Sequence, residues 1–170
     1  MASKQLRPIR VEGNIAYVPL TRGYEAIIDA ADVPLVDGVN WKASVKGYTV
    51  YADRILRSSG KKELVLLHRV ILPTSVDMMI DHADGNGLNN RRANLRQASR
   101  SQNACNQKKR RDNTSGFKGV VRSKKTGRFV ATIKISGKRK SLGWYACPTA
   151  AYFAYVKAAR EVYGEFSRLA

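Results

Sequence analysis

Between residues 15 and 67 the apolar positions come in short runs rich in β-branched and aromatic residues, over 16–20, 26–28, 48–51 and 63–67. A turn signal separates each run from the next: Arg22-Gly23, Asp37-Gly38, Lys46-Gly47 and the Ser-Ser-Gly stretch at 58–60. Small polar residues and glycine reverse the chain at low cost, so the pattern predicts strands rather than helices. The result is a small β-rich platform that needs the following segment to complete its core. That segment begins with Leu67-His68-Arg69-Val70-Ile71-Leu72, halted by Pro73, and continues as an apolar strand over 76–80 that runs into Asp81-His82.

From 83 to 92 the chain is polar and punctuated by Gly85 and Gly87, a composition that forms loops. A second strand is expected over 94–98. Ser99 and Gln102 then have the spacing of a capping box, which predicts a helix carrying Asn103 and Asn106 about one turn apart. The run 108–115 reads as a basic linker. Beyond it, strands over 117–122, 128–135 and 138–145, with turns at Lys125-Thr126-Gly127 and Ser136-Gly137, have the short spacing of an antiparallel meander. Pro148 opens a helix that Gly164 closes, with Ala151, Ala154, Ala158 and Val162 at helical spacing for close packing on a sheet. Trp144 and Tyr145 are expected in that core, beside Leu142 and Gly143. The fold class is therefore α+β, with 1–107 as one lobe, 108–115 as linker and 116–170 as a sheet-on-helix module.

Charge narrows the choice of partner. The 170 residues carry 31 Lys and Arg against 13 Asp and Glu, a formal charge of +18. Sixteen of those cations but only three of the acids follow Gln107. So uneven a distribution indicates a polyanion-binding module attached to a more ordinary globular part, because phosphate neutralisation supplies most non-specific nucleic-acid affinity. There is no long apolar run or lipidation signature to suggest a membrane. The first eight residues lack the apolar stretch of a secretion signal, so a cytoplasmic protein is expected, and with no obvious apolar docking stripe in the sequence a monomer is expected. Cys105 and Cys147, isolated from each other, suggest neither a disulfide framework nor a zinc site.

Both histidines of the chain, His68 and His82, fall in or beside the strand–loop–strand–helix unit. Phosphodiester hydrolysis needs hard oxygen ligands for a divalent cation, a neutral imidazole to take a proton from water, and polar groups that fix the imidazole. Asp81 and Asn103 offer the oxygens and His82 the base. Neighbouring Asp81 and His82 point to opposite faces of a regular strand, so joint action on one centre requires a bend just after them. His68 and Arg69 divide evenly between packing and a phosphate contact by Arg69.

The stretch from Leu67-His68-Arg69 to Gln102-Asn103-Ala104-Cys105-Asn106, with Asp81-His82-Ala83-Asp84-Gly85-Asn86, Asn89-Asn90 and Asn94-Leu95-Arg96, resembles the HNH endonucleases of the phage and intron-encoded branch. The resemblance implies a ββα-metal motif over 67–107 with His82 as general base, Asp81 and Asn103 as metal ligands, and Asn94 as the residue that steadies the motif and helps orient His82. It implies one Mg2+ or Mn2+ rather than zinc, since carboxylate and amide oxygens suit hard cations. Arg91 and Arg92, in the loop, are candidates for DNA contact along with Arg69.

The C-terminal segment resembles the APETALA2 or ethylene-response-factor DNA-binding domain. The matching residues are Phe117-Lys118-Gly119-Val120, Gly127-Arg128-Phe129-Val130-Ala131-Thr132-Ile133, Leu142-Gly143-Trp144-Tyr145, Thr149-Ala150-Ala151 and Ala154-Tyr155. The resemblance implies a three-stranded sheet in the major groove backed by one helix, with Lys118, Arg122, Lys124, Arg128, Lys134 and Lys140 facing the DNA. The expected activity is a homing-type endonuclease that nicks or cuts double-stranded DNA by metal-assisted attack of water, leaving a 3′-hydroxyl. A catalytically idle DNA-binding protein is the competing expectation, and RNA binding follows from charge alone.

Overall fold

In the computed structural model, which describes residues 5–58 and 60–169, the chain is mixed α+β. The first four residues and the middle of the turn expected at 58–60 lie outside the described residues. The chain divides into two compact units, 1–97 and 98–170. The helix expected in the nuclease motif and the expected linker both fall in the second unit.

The first unit holds two three-stranded antiparallel sheets and one two-stranded sheet. Strands β1 (Arg10–Glu12), β2 (Ile15–Pro19) and β3 (Glu25–Asp29) form the first sheet. A four-residue helix, α1 (Val33–Val36), follows. Strands β4 (Lys42–Lys46), β5 (Thr49–Ser58) and β6 (Lys61–Leu66) form the second sheet. The apolar run after β6 is a short helix, α2 (Leu67–Ile71), which buries Leu67, His68 and Ile71. Strands β7 (Met79–His82) and β8 (Leu95–Ala98) pair across the polar loop.

Alternation explains the core. Ala16 and Val18 face inward along β2, as do Ala26 and Ile28 on β3, each with the residue between them less buried, and Leu20 just after β2 is buried with them. They surround Trp41, whose indole N–H donates to the Val36 carbonyl at 2.9 Å. Two sequence expectations move. The strand placed over 76–80 begins only at Met79, because Met78 closes a turn onto the Ser75 carbonyl at 3.2 Å and Val76 is 95% exposed. The strand placed over 48–51 extends to Ser58, since its outer half pairs only with β6 and carries few buried residues to signal it.

The second unit contains α3 (Arg100–Asn106), strands β9 (Val120–Arg122), β10 (Phe129–Ile135) and β11 (Lys138–Tyr145), and α4 (Pro148–Tyr163). The strands form the expected antiparallel meander, with β10 central. Ala131 and Ile133 of β10 share one core cluster with Ala151, Tyr155, Ala159 and Tyr163 of α4. The inward stripe of α4 runs through these tyrosines rather than through Val162, which is 41% exposed. Gly119 allows the closest approach: its φ is +74°, and a Cβ there would overlap the Tyr155 ring. Cys105 of α3 lies in the same cluster, so α3 is built into this core. Trp144, expected to be buried, is 52% exposed and pairs with Val130 on the sheet face away from Ala131.

Gly87 tests how tightly the polar loop is seated. A Cβ at 87 would lie 2.6 Å from the Val50 carbonyl oxygen and 2.7 Å from the Tyr51 ring. Gly87→Ala is therefore expected to destabilise the first unit by roughly 1–3 kcal/mol, read as a lower urea midpoint.

Candidate active site

The loop between β7 and β8 is mostly polar, and its own side chains hold it. The Asp84 N–H donates to the Asn94 side-chain oxygen at 3.0 Å, and the Asn94 amide donates back to the Asp84 carboxylate at 3.0 Å and to the Asn89 carbonyl at 2.7 Å. The same carboxylate accepts from the Asn86 N–H and the Asn89 side-chain amide, each at 2.8 Å. Burial works to raise the Asp84 carboxyl, but these donors outweigh it and hold the group below the usual carboxylate range. Asn94 thus braces the loop that follows His82.

Two further ties fix this loop to the platform. The Ile27 N–H donates to the Leu88 carbonyl at 2.8 Å, and the Asn90 N–H donates to the Ile27 carbonyl at 2.7 Å. Arg91 pairs with Asp29 at 2.8 Å, and Arg92 spans both oxygens of buried Asp32 at 2.7–3.0 Å. Burial would raise the Asp29 carboxyl, yet the Arg91 side chain and the Arg92 backbone N–H pull it down. The two arginines expected on DNA therefore serve first as anchors of the loop.

Asp81 and His82 are both buried in β7, and they meet different neighbours, as adjacent strand positions should. Arg96 of β8 donates twice to one Asp81 oxygen, at 2.9 Å through Nε and 2.8 Å through a terminal nitrogen, and so counterbalances its charge. The His82 Nε2 lies 3.2 Å from the Asn90 side-chain oxygen. Asn90 is buried, and its amide nitrogen donates to the Leu88 carbonyl at 3.0 Å, so its oxygen must be the atom turned toward the imidazole. An oxygen accepts only, which assigns the proton to Nε2 and the lone pair to Nδ1. Burial lowers the pKa of His82 despite the Asn90 bond and the carboxylates of Asp84 and Asp81, so the ring is neutral at pH 7.

The wall behind His82 is aromatic. His68 meets it edge-on, with ring centroids 5.2 Å apart, and Tyr51 lies 5.8 Å from both rings. Burial, then the neighbouring His82 and Arg69, push His68 down to about 3. His68 is thus a neutral packing group, while Arg69, beside it on α2, is exposed. Among the described residues no three His, Cys, Asp or Glu side chains come together as an ion-binding group. A buried carboxylate beside a neutral imidazole still suits a hard cation that takes its other ligands from amide oxygens, water and phosphate.

Asn103 lies on α3 of the second unit. That helix starts as expected, with Ser99 and Gln102 capping each other's backbone N–H. In the same unit Arg122, Lys124, Arg128, Lys134 and Lys140 are exposed. Lys118, expected on DNA, is turned inward instead: its ammonium donates to the carbonyls of Cys105, Gln107 and Arg168, and burial lowers its pKa. It ties the end of α3 and the C-terminal segment to the sheet. A cavity of about 670 Å³ in this unit is edged by Arg100, Lys108, Lys134 and Arg139.

Sequence reasoning gives no role to Asn90 and places Arg96 only within the Asn94-Leu95-Arg96 stretch. Asn90 is visible in the Asn89-Asn90 pair, but its partner depends on how the loop folds back. Asp29 and Asp32 carry no signal, since they lie about sixty residues from the arginines they bind.

A buried neutral imidazole, a carboxylate one residue away and a self-braced polar loop thus lie together between β7 and β8. Residues 65–105 match the model of the HNH endonuclease family, so the chain carries an HNH endonuclease domain. It is similar to protein 3.8 of Escherichia phage T7, at 36% identity over 52% of this chain and 73% of that protein. It is also similar to an HNH endonuclease of Acanthamoeba polyphaga mimivirus, at 29% identity over 86% of this chain and 74% of that protein. No solved structure matches the chain. Among the described residues no helix is long and apolar enough to cross a membrane.

The depressed His68 sets a stability profile. The unfolded chain protonates this imidazole near 6.5 and the folded one only near 3, so the unfolded state binds more protons between these values. Stability is expected to be retained above pH 6.5 and lost as the pH falls toward 3. His68→Gln should flatten that part of the urea-midpoint-versus-pH curve, whereas an unchanged slope would contradict the assignment.

Proposed function

We propose that this enzyme hydrolyses phosphodiester bonds of double-stranded DNA with one Mg2+ or Mn2+, in the manner of a homing-type nuclease. His82 acts as general base, and Asp81 would supply an oxygen to the ion. The observation that carries this reading is the His82–Asn90 hydrogen bond, which leaves a neutral ring with its lone pair on Nδ1. A neutral imidazole of defined tautomer can take a proton from a water molecule as that water attacks phosphorus. The cation, when bound, would supply charge stabilisation at the phosphate and the leaving oxygen. Asn94 keeps the loop after His82 in place, and Arg96 balances Asp81.

For the C-terminal unit we propose an APETALA2-like role in gripping the DNA. Support comes from the three-stranded sheet backed by α4 and from the exposed Arg122, Lys124, Arg128, Lys134 and Lys140. Trp144 and Val130 share a paired position on the sheet, and a β-ribbon of this size can enter the major groove.

A supercoiled-plasmid assay tests the reading. The parent should relax or linearise the plasmid with Mg2+ or Mn2+ and lose that activity with a chelator, and His82→Ala should be inactive at equal DNA binding. Cleavage that survives both treatments would overturn the mechanism. Asn90→Ala should cut turnover roughly tenfold to a hundredfold while leaving DNA affinity unchanged, because only the ring's orientation and tautomer are disturbed.

A further inference from the structure

The β5–β6 hairpin leaves the core beyond Arg54, whose guanidinium lies over the Trp41 ring, and Val65, which packs against the core. Strand β4 pairs with β5 only from Thr49 to Asp53, so residues 54–58 and 61–65 form a two-stranded ribbon with exposed edges on both sides. Ile55 and Leu64 sit directly opposite each other in the register, each 49% exposed. Two residues further out, on the same face, Arg57 stands opposite Lys62. Among the described residues neither cation makes an ion pair.

Both features cost stability in the free protein. Like charges directly opposite across a ladder repel, and an exposed apolar pair on an open edge invites aggregation. Edge lysines alone can be read as a guard against strand pairing, but such a guard does not explain an exposed isoleucine–leucine pair beside them. A partner that is anionic outside and apolar within accounts for both. Duplex DNA has this character: its groove is flanked by phosphates, and aliphatic side chains can wedge between its base steps. Arg57 and Lys62 supply the charge complementarity, with Lys61 and Glu63 on the opposite face.

We infer that the ribbon over 54–58 and 61–65 is a second DNA-binding element, an arm that lies in the minor groove with Arg57 and Lys62 on the phosphates and Ile55 and Leu64 against a base step. This rests on the reading of the enzyme as a DNA nuclease, and it adds a binding element in the first unit to the basic surface of the second.

The full chain carrying His82→Ala, which should bind without cutting, would be titrated into a short A·T-rich duplex labelled at both ends, at several salt concentrations. Arg57→Gln with Lys62→Gln should reduce the slope of log affinity against log salt by about 2, close to one for each phosphate no longer neutralised. Ile55→Ser with Leu64→Ser should keep the slope, lower affinity roughly tenfold and lessen the bend read from end-to-end energy transfer. All four positions are exposed, so these variants should fold. If the parent binds and both double variants match it in affinity, slope and bend, the arm is overturned while the nuclease reading stands; a parent that binds no duplex overturns both. Disruption of a dimer in sedimentation, with DNA binding intact, would overturn the arm in favour of an edge that pairs with a second copy.

Discussion

The reciprocal hydrogen bonds between Asp84 and Asn94 are the constraint on which the catalytic half of the molecule depends. They close a loop with no apolar side chain to spare for a core except Leu88, and they do so where β7 ends and β8 approaches. A loop this polar must satisfy its own donors and acceptors or remain solvated and mobile. Here the closure brings Asn90 under the His82 ring and sends Leu88 and Asn90 onto the backbone of β3. The imidazole is thereby held at one nitrogen by a buried amide, and its tautomer follows from the carbonyl on that amide's other side.

The large cationic excess serves two different ends. Arg91, Arg92 and Arg96 are matched to Asp29, Asp32 and Asp81, and Lys118 is consumed by three backbone carbonyls. These charges hold elements together, at sites where a carboxylate or carbonyl would otherwise lie buried with less compensation. The other group, exposed along β9 to β11 and on the outer hairpin, adds little to stability. Its value is long-range attraction to a polyanion, which weakens as salt rises. Charge count alone does not separate the two groups, as Lys118 illustrates.

The aromatic wall of Tyr51, His68 and His82 joins the platform to the chemistry. Gly87 lets the loop settle against Tyr51 without a Cβ in the way, so the β-rich start supplies the back of the site. Asn103 belongs to a helix whose Cys105 is packed in the core of the second unit. The residues of the short motif are therefore supported by two separate cores.

Sequence by itself determined the local pieces: the meander and its helix from alternation and turn residues, the start of α3 from its capping box, and the polar loop that joins β7 to β8. These depend on neighbours within a few residues, and such preferences act before any tertiary contact forms. Only the tertiary structure decided where long-range charge goes, which face Trp144 takes, that Val76 is left in water and that Asn90 rather than Asn94 touches the imidazole. Each of those depends on which distant backbone arrives alongside, and an ion pair spanning about sixty residues leaves no trace in the local pattern of the chain.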